Sequence, residues 1–217
     1  MQIQIHQEDF QLDALAALFW PKYQALFIAD VHLGKTEHFR KNGAAIPQGI
    51  GSQNYKRLDL LLKKYQPQRV YFLGDLFHSD KNQDWEKFEY WIAQQNTQFT
   101  LIKGNHDIIP DFLLERSSID IINEWRKDGF LFCHHPQEKE TDFVICGHVH
   151  PGFRLRGHAR QHLKLACFYK TKNQLILPAF GAFTGKHFIK PQDGDEVFLI
   201  NESSIYPLKF DDSHQSA

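Results

Sequence analysis

The chain has 217 residues, with 25 Lys and Arg against 26 Asp and Glu, so its formal charge of -1 provides no overall attraction to nucleic acid or an anionic membrane. Hydrophobic residues make up 42% and charged residues 24%, an ordinary globular composition that excludes disorder. No window approaches the roughly 18 apolar residues of a membrane helix, the start MQIQIHQEDF lacks the basic and apolar segments of a secretory signal, and Cys133, Cys146 and Cys167 lack Cys-x-x-Cys spacing, so a cytoplasmic protein with reduced thiols is expected.

No linker or charge block divides the sequence, which predicts one domain over residues 1–210 and a frayed tail over 211–217. ALFIAD (25–30) and RVYFLGD (69–75) are apolar β-type runs that each end in Asp, and TLIKGN (100–105) is a third of the kind. Between the first two, Tyr55, Leu58, Leu61, Leu62 and Tyr65 recur at helical spacing, with Lys56, Arg57, Lys63 and Lys64 on other faces; between the second and third, Trp85, Phe88, Trp91 and Ile92 do the same. The β-α-β-α-β order predicts a parallel sheet whose polar strand ends share one edge. GFLFCHH and DFVICGH are two more such strands. GFRLRGHARQHLKLACFYK (152–170) then predicts an antiparallel hairpin, followed by strands in QLILP, DEVFLI and SIYPLKF. Parallel strands with helices, then a run of β, point to two sheets packed face to face with helices outside.

Five of these strands end in polar clusters: ADVHLG (Asp30, His32), LGDLFHS (Asp75, His78), KGNHD (Asn105, His106, Asp107), CHHP (His134, His135) and CGHVHPG (His148, His150). Each alone is ordinary turn or capping material beside a surface imidazole. Five together on one edge form a site. Two carboxylates, an amide oxygen and four or five imidazoles, with no thiolate, suit Mn, Fe, Co or Zn, and the set is too rich for one tetrahedral ion. Shared between two ions it gives about four protein ligands to each, as two-metal hydrolytic sites require.

In this order the motifs Asp-x-His, Gly-Asp, Gly-Asn-His-Asp, a strand-end His and Gly-His-x-His resemble the calcineurin-like metallophosphoesterase signature. The fuller pattern, including ADVHLGK, RLRG and LPAFGAFTG, is similar to the bacterial ligase-associated DNA damage response endonuclease subfamily, from about residue 20 to about residue 200. The resemblance implies an α/β fold, the four-layer αββα metallophosphoesterase sandwich of two mixed β-sheets flanked by helices. It implies that Asp30, His32 and His150 hold one ion, that Asn105, His134 and His148 hold the other, and that Asp75 bridges them. His134 is preferred over His135 because the family's ligand stands two residues before Pro. Two divalent metal ions are expected, Mn2+ ahead of Fe or Zn, which the same donors also suit.

The chemistry implied is hydrolysis of a phosphodiester by a hydroxide bridging two cations about 3.5 to 4 Å apart. His106, not a ligand, would protonate the leaving oxygen, and Asp107 would orient its ring; a helix N-cap for IIPDFLLE is the plain alternative for Asp107. Gly104 would let the backbone turn tightly beside the ions. Arg154, Arg156, Arg160 and Lys164, with His158 and His162, fall at every second position and give the hairpin one basic face without an acid. That face is either a solvated strand face or a track for the phosphates of single-stranded DNA. His78 and His135 are further substrate-facing candidates, Lys35, His38 and Arg40 could touch phosphate or form a solvated helix face, and Phe153 and Phe168 are base-stacking residues or core. LPAFGAFTG has no assigned function. The substrate expected is single-stranded DNA in repair, with a DNA ligase or helicase as a possible pathway partner by resemblance. A small nucleotide or phosphomonoester, and a non-catalytic protein-binding scaffold, are the alternatives.

Overall fold

The computed structural model describes residues 1–35, 50–77, 82–107, 118–157, 161–182 and 184–210. Its strands are short apolar runs whose alternate side chains feed two different cores. In β4 (Ala25–Ile28), Ala25 and Phe27 face one core while Leu26 and Ile28 face another, and β5 (Arg69–Leu73) repeats this with Tyr71 and Leu73 opposite Val70 and Phe72.

The first sheet runs in the order β1 (Gln2–Ile5), β2 (Glu8–Asp13), β3 (Ala17–Trp20), β4, β5, β6 (Gln98–Ile102) and β7 (Asp120–Ile122). β1 to β4 pair antiparallel and β4 to β7 pair parallel. Helices α1 (Ile50–Tyr65) and α2 (Asn82–Ile92) precede β5 and β6 and pack Leu58, Leu61, Trp85, Phe88 and Ile92 against the outer face of this sheet. The spacing of apolar residues along both helices anticipates these contacts.

The second sheet contains β8 (Trp125–Lys127), β9 (Phe130–Phe132), β10 (Phe143–Cys146), β11 (Pro151–Arg156), β12 (His162–Lys170), β13 (Gln174–Ile176), β14 (His187–Phe188), β15 (Glu196–Asn201) and β16 (Ser204–Lys209). Its order is β14-β11-β12-β13-β10-β9-β8, with β15 on β12 and β16 on β15. β9, β10 and β13 are parallel neighbours, and β11 and β12 form the expected antiparallel hairpin. The two mixed sheets share an aromatic core that includes Trp20, Phe27, Phe130, Phe132 and Phe168, in which the rings of Phe27 and Phe132 stack 4.3 Å apart with planes 10° from parallel. The two sheets thus pack face to face as the resemblance implies, with both described helices on the first sheet and no described helix covering the second. The outer face of the second sheet carries a smaller cluster of Leu131, Cys133, Val144, Cys146 and Ile176. All three cysteines are buried and unpaired. No described helix is long and apolar enough to cross a membrane.

The structure departs from the sequence reading in three respects. β4, β5 and β6 stop at Ile28, Leu73 and Ile102, so the motif residues stand in loops beyond the strands. The antiparallel β1 to β3 and the short β7 and β8 are additions. The tail 211–217, the hairpin tip 158–160 and residues 108–115 with their expected helix lie outside the described residues.

Asp13 ties the β2–β3 turn to α1. It is buried yet accepts hydrogen bonds from Lys64 Nζ at 2.6 Å, Tyr65 Oη at 2.8 Å and the Leu15 N–H at 2.8 Å. Burial pushes its pKa up, but the bonds from Lys64, Leu15 and Tyr65 outweigh that and hold the carboxyl below its ordinary value. A lowered folded-state pKa contributes stability that is present above the unfolded value of about 3.9 and lost as pH falls through the folded value. Asp13→Asn should therefore cost about 1–2 kcal/mol at pH 7 and flatten the loss of stability on acidification below about pH 4, as read by thermal melts between those conditions.

Candidate metal centre

The polar strand ends meet at one edge of the sandwich because β4, β5 and β6 run parallel in one sheet and β9 and β10 run parallel in the other. Pairing continues past the strands. The His32 N–H donates to Asp75 O at 3.0 Å, the Leu33 N–H to Leu76 O at 2.8 Å, and Leu33 and Phe77 form a parallel bridge.

Within this frame Asp30, His32, Asp75, His148 and His150 all have positive φ, between 50° and 67°. Asp and His tolerate the left-handed region better than most side chains, but each such residue still costs on the order of 1 kcal/mol and persists where its surroundings over-determine it. Here they do. The Asp30 N–H donates to Gly74 O at 3.2 Å, Asp30 O accepts from the Gly181 N–H at 3.1 Å, and His150 O accepts from the His187 N–H at 3.0 Å. Two glycines make room. A Cβ on Gly74 would stand 2.1 Å from His134 Nδ1, and one on Gly104 would stand 2.3 Å from Asp75 Oδ1, so the backbone passes directly behind the donor side chains.

The donor atoms fall into adjoining groups. Asp30, His32 and His150 form one, Asp30, Asp75 and His134 form the next, and His134, His135 and His148 form a third. His150 Nε2 lies 3.4 Å from His32 Nε2 and 3.2 Å from Asp30 Oδ1. His134 Nε2 lies 3.1 Å from Asn105 Oδ1, 3.2 Å from His148 Nδ1 and 3.4 Å from Asp75 Oδ1. Donors about 2.1 Å from a central cation stand about 3.0 Å apart at an octahedral edge and about 3.4 Å apart at a tetrahedral one, so these separations are those of coordination polyhedra. Asp30 Oδ1 is buried without a hydrogen-bond partner among the described residues. The residues therefore fit divalent cations, with Asp30 common to the first and second groups and His134 to the second and third.

Asp30 and Asp75, 0% and 2% exposed, form the floor of the site, while Asn105, His106 and His135 stand exposed at the rim. The buried His134 donates from Nδ1 to Leu73 O at 2.9 Å, which leaves the Nε2 lone pair facing Asn105, Asp75 and His148. His134 thus presents a buried, oriented lone pair, as the reading that prefers it over His135 expects. His135 stands beside it, its ring centroid 4.2 Å from that of His148. Burial, then the neighbouring His135 and His134, lowers the pKa of His148 and favours the neutral imidazole that a cation needs. Lys35 is half-buried nearby; burial lowers its pKa while Asp30 and Asp75 oppose the shift.

Asp107 requires correction. Its Oδ1 accepts the N–H of Leu76 at 2.9 Å and of Phe77 at 3.2 Å, and its Oδ2 accepts the N–H of Gly104 at 2.9 Å. Both oxygens thus hold main-chain amides, and the residue is a buried clamp between the loops after β5 and β6, not a catalytic group on the His106 ring. Phe168 is fully buried core, and the ring of Phe153 packs on Phe210 at 5.7 Å, so neither is a base-stacking residue. Arg154 and Arg156 are exposed on β11, in register with Lys164 and His162 of β12, which confirms one basic hairpin face. His78, Arg160, His158, His38 and Arg40 lie outside the described residues.

The sequence reading missed Asn54 and Arg57 on α1. Arg57, read only as lying on a face other than the apolar stripe, is partly buried and donates to Phe180 O and, at 3.0 Å, to Leu15 O, with its guanidinium 4.2 Å from the Phe180 ring centroid. Asn54 Nδ2 donates to Val31 O at 3.1 Å, and its Oδ1 accepts the Ala182 N–H at 3.4 Å. The previously unassigned LPAFGAFTG segment is thereby strapped against Ala29 and Asp30, whose carbonyls accept the N–H groups of Phe180 and Gly181. The only signal in the sequence was a basic residue one position before the apolar Leu58 on the helix.

Two outcomes follow. Asp107→Ala leaves three amides unanswered and should cost about 2–3 kcal/mol of stability together with weaker Mn2+ binding, measured by thermal melting and calorimetric titration. Arg57→Lys loses the forked double contact and should weaken divalent-cation binding, read with Mn2+ as the probe in the same titration.

A calcineurin-like phosphoesterase family model matches residues 23–142. A search of curated proteins gives no match. Among solved structures, the chain is similar to the Pseudomonas putida nuclease MPE, with 31% identity, a TM-score of 0.78, and coverage of 96% of this chain and 99% of that one. A protein of unknown function from Aquifex aeolicus matches at 23% identity and a TM-score of 0.42, covering 58% of this chain and 78% of that one. A phosphoesterase from E. coli matches at 12% identity and 0.43, covering 86% and 99%. The family match over more than half of the chain, and the nuclease likeness over nearly all of it, agree with a fold that gathers Asp, His and Asn donors at one edge: the chain belongs to the calcineurin-like phosphoesterases, metal-dependent phosphoester hydrolases.

Proposed function

We propose that the chain is a binuclear, Mn2+-preferring phosphodiesterase that cuts single-stranded DNA. The observation that carries this reading is the set of adjoining donor groups at one edge of the sandwich, in a chain 31% identical over 96% of its length to a nuclease. The basic hairpin beginning just past His150 supports a polymeric substrate. A role in DNA repair beside a ligase or helicase rests on the subfamily resemblance, and the three unpaired cysteines are in keeping with the cytoplasm.

When bound, two divalent cations supply positive charge to the phosphoryl oxygens and acidify water to near neutral pH. The chain does the rest. Asp30, His32 and His150 would hold one cation and Asn105, His134 and His148 the other, with Asp75 as the carboxylate shared by both. His106 stands at the exposed rim with its ring centroid 6.4 Å from that of His32, while its N–H donates to Asp75 Oδ1 at 3.1 Å. This contact fixes its backbone beside Asp75, and its imidazole is the group that would deliver a proton to the leaving oxygen. Arg154, Arg156 and Lys164 neutralise phosphates flanking the scissile one.

The test assays Mn-loaded wild type, His106→Ala and Asp75→Asn against single-stranded DNA, duplex DNA and a generic aryl phosphodiester. Wild type should cut single strands and the aryl diester, with duplex DNA a poor substrate. His106→Ala should lose about 100-fold to 10,000-fold in kcat with Mn2+ stoichiometry intact, whereas Asp75→Asn should lose both activity and the second Mn2+. Hydrolysis confined to mononucleotides would sink the nucleic-acid reading and leave the metal centre standing.

A further inference from the structure

On the hairpin's basic face the structure places an aromatic ring that the sequence reading did not single out. Phe188 of β14 is in register with Gly152 of β11, and Gly152 in turn with Ala166 of β12. Side chains two apart on a strand share a face, so Phe188 stands on the side that carries Arg154, Arg156, His162 and Lys164. The contacts agree. The Arg154 guanidinium lies over the Phe188 ring 4.9 Å from its centroid, and Lys164 Nζ lies 5.7 Å from it. The opposite face carries Phe153, Leu155 and Leu165, which pack against Cys167, Val197 and Leu199. Phe188 is therefore set apart from that apolar cluster and keeps part of its surface exposed.

Its distance along the fold suits a substrate. Gly152 is two residues past His150, at most about 7 Å along the chain. The N–H of His187, the residue before Phe188, donates to His150 O at 3.0 Å, so the ring stands next to the metal edge. A small side chain at Gly152 is required here, because a Cβ would come 2.8 Å from Lys186 Cβ.

We infer that Phe188, with the Arg154 guanidinium laid on it, is a stacking platform for an unpaired nucleobase beside the scissile phosphate. Cations flanking an aromatic ring are the combination that single strands use: the cations answer adjacent phosphates, and the flat surfaces of ring and guanidinium receive a base. A paired base in a duplex cannot present its face to such a platform. This inference rests on the nucleic-acid reading above and names what makes the substrate single-stranded.

The experiment measures binding of Mn-loaded wild type, Phe188→Trp, Phe188→Leu and Phe188→Ala to a fluorescent single-stranded DNA oligonucleotide. Parallel oligonucleotides carry one abasic residue at successive positions, and an RNA oligonucleotide forms a separate arm. Phe188→Leu and Phe188→Ala should bind about ten-fold or more weakly, within the range of base–aromatic stacking, and Phe188→Trp should bind at least as tightly as wild type. One abasic position should weaken wild type by a similar factor yet leave Phe188→Leu unaffected, a non-additivity that loss of folding does not produce. Equal binding by wild type and Phe188→Leu, or additive losses at every abasic position, overturns the platform while the nuclease reading stands. Failure of wild type to bind any oligonucleotide overturns both.

Discussion

Everything at this edge depends on two carboxylates buried almost completely and side by side. Asp30 and Asp75 belong to one donor group with His134, and no described Lys or Arg makes an ion pair with either. Two buried like charges repel, and desolvation penalises each. The protein's own compensation is slight: Asp30 Oδ2 accepts the His148 N–H at 2.9 Å, and Asp75 Oδ1 accepts the His106 N–H at 3.1 Å. Imidazoles whose pKa values are lowered or whose Nδ1 is committed to a carbonyl add lone pairs to the same space, which deepens the negative potential. Such a cluster is matched only by a ligand of high positive charge, so divalent cations answer the electrostatics of the floor as well as its geometry.

The fold's task is then to hold repelling groups at coordination distance. Apolar packing in the shared core fixes the two sheets, with Phe27 stacked on Phe132 a few residues before Asp30 and His134. Main-chain hydrogen bonds between the loops do the local work, and the left-handed residues are the visible strain. Asp107 belongs to this apparatus, as do Asn54 and Arg57. Each spends its polar atoms on backbone groups of a donor-bearing loop or of the segment braced against one. Burial raises the pKa of Asp107, and its backbone hydrogen bonds oppose the shift.

Legibility in the sequence divides along the same line. The donors were readable because Asp, His and Asn at the ends of apolar runs are poor core material and their repetition is informative in one dimension. The parallel β4-β5-β6 order was readable because two amphipathic helices separate the runs. Asp107 was misread because a carboxylate following a histidine gives no sign of which amides will turn toward it. Arg57 was missed because helical periodicity places a charged residue only off the apolar stripe and cannot see a distant segment offering carbonyls. β1 to β3 escaped notice as short strands of mixed polarity, with Gln2–Ile5 reading QIQI. Phe188 was unremarkable in sequence because its neighbours on the basic face come from β11 and β12, more than twenty residues upstream.

The division between chemistry and recognition also bears on how a substrate is held. A chain with formal charge -1 has no long-range field to gather a polyanion, and at physiological ionic strength each cation acts over only about 8 Å. The hairpin face offers Arg154, Arg156 and Lys164 in register, enough for a few phosphates. At a salt dependence of about 0.7 per phosphate for single strands, such contacts weaken steeply as salt rises. On the reading proposed above, an aromatic surface among those cations would contribute attraction that salt does not screen, selectively for bases free to leave a stack. Electrostatics and stacking together would then let a nearly neutral protein retain a single strand at the edge where its buried carboxylates cluster.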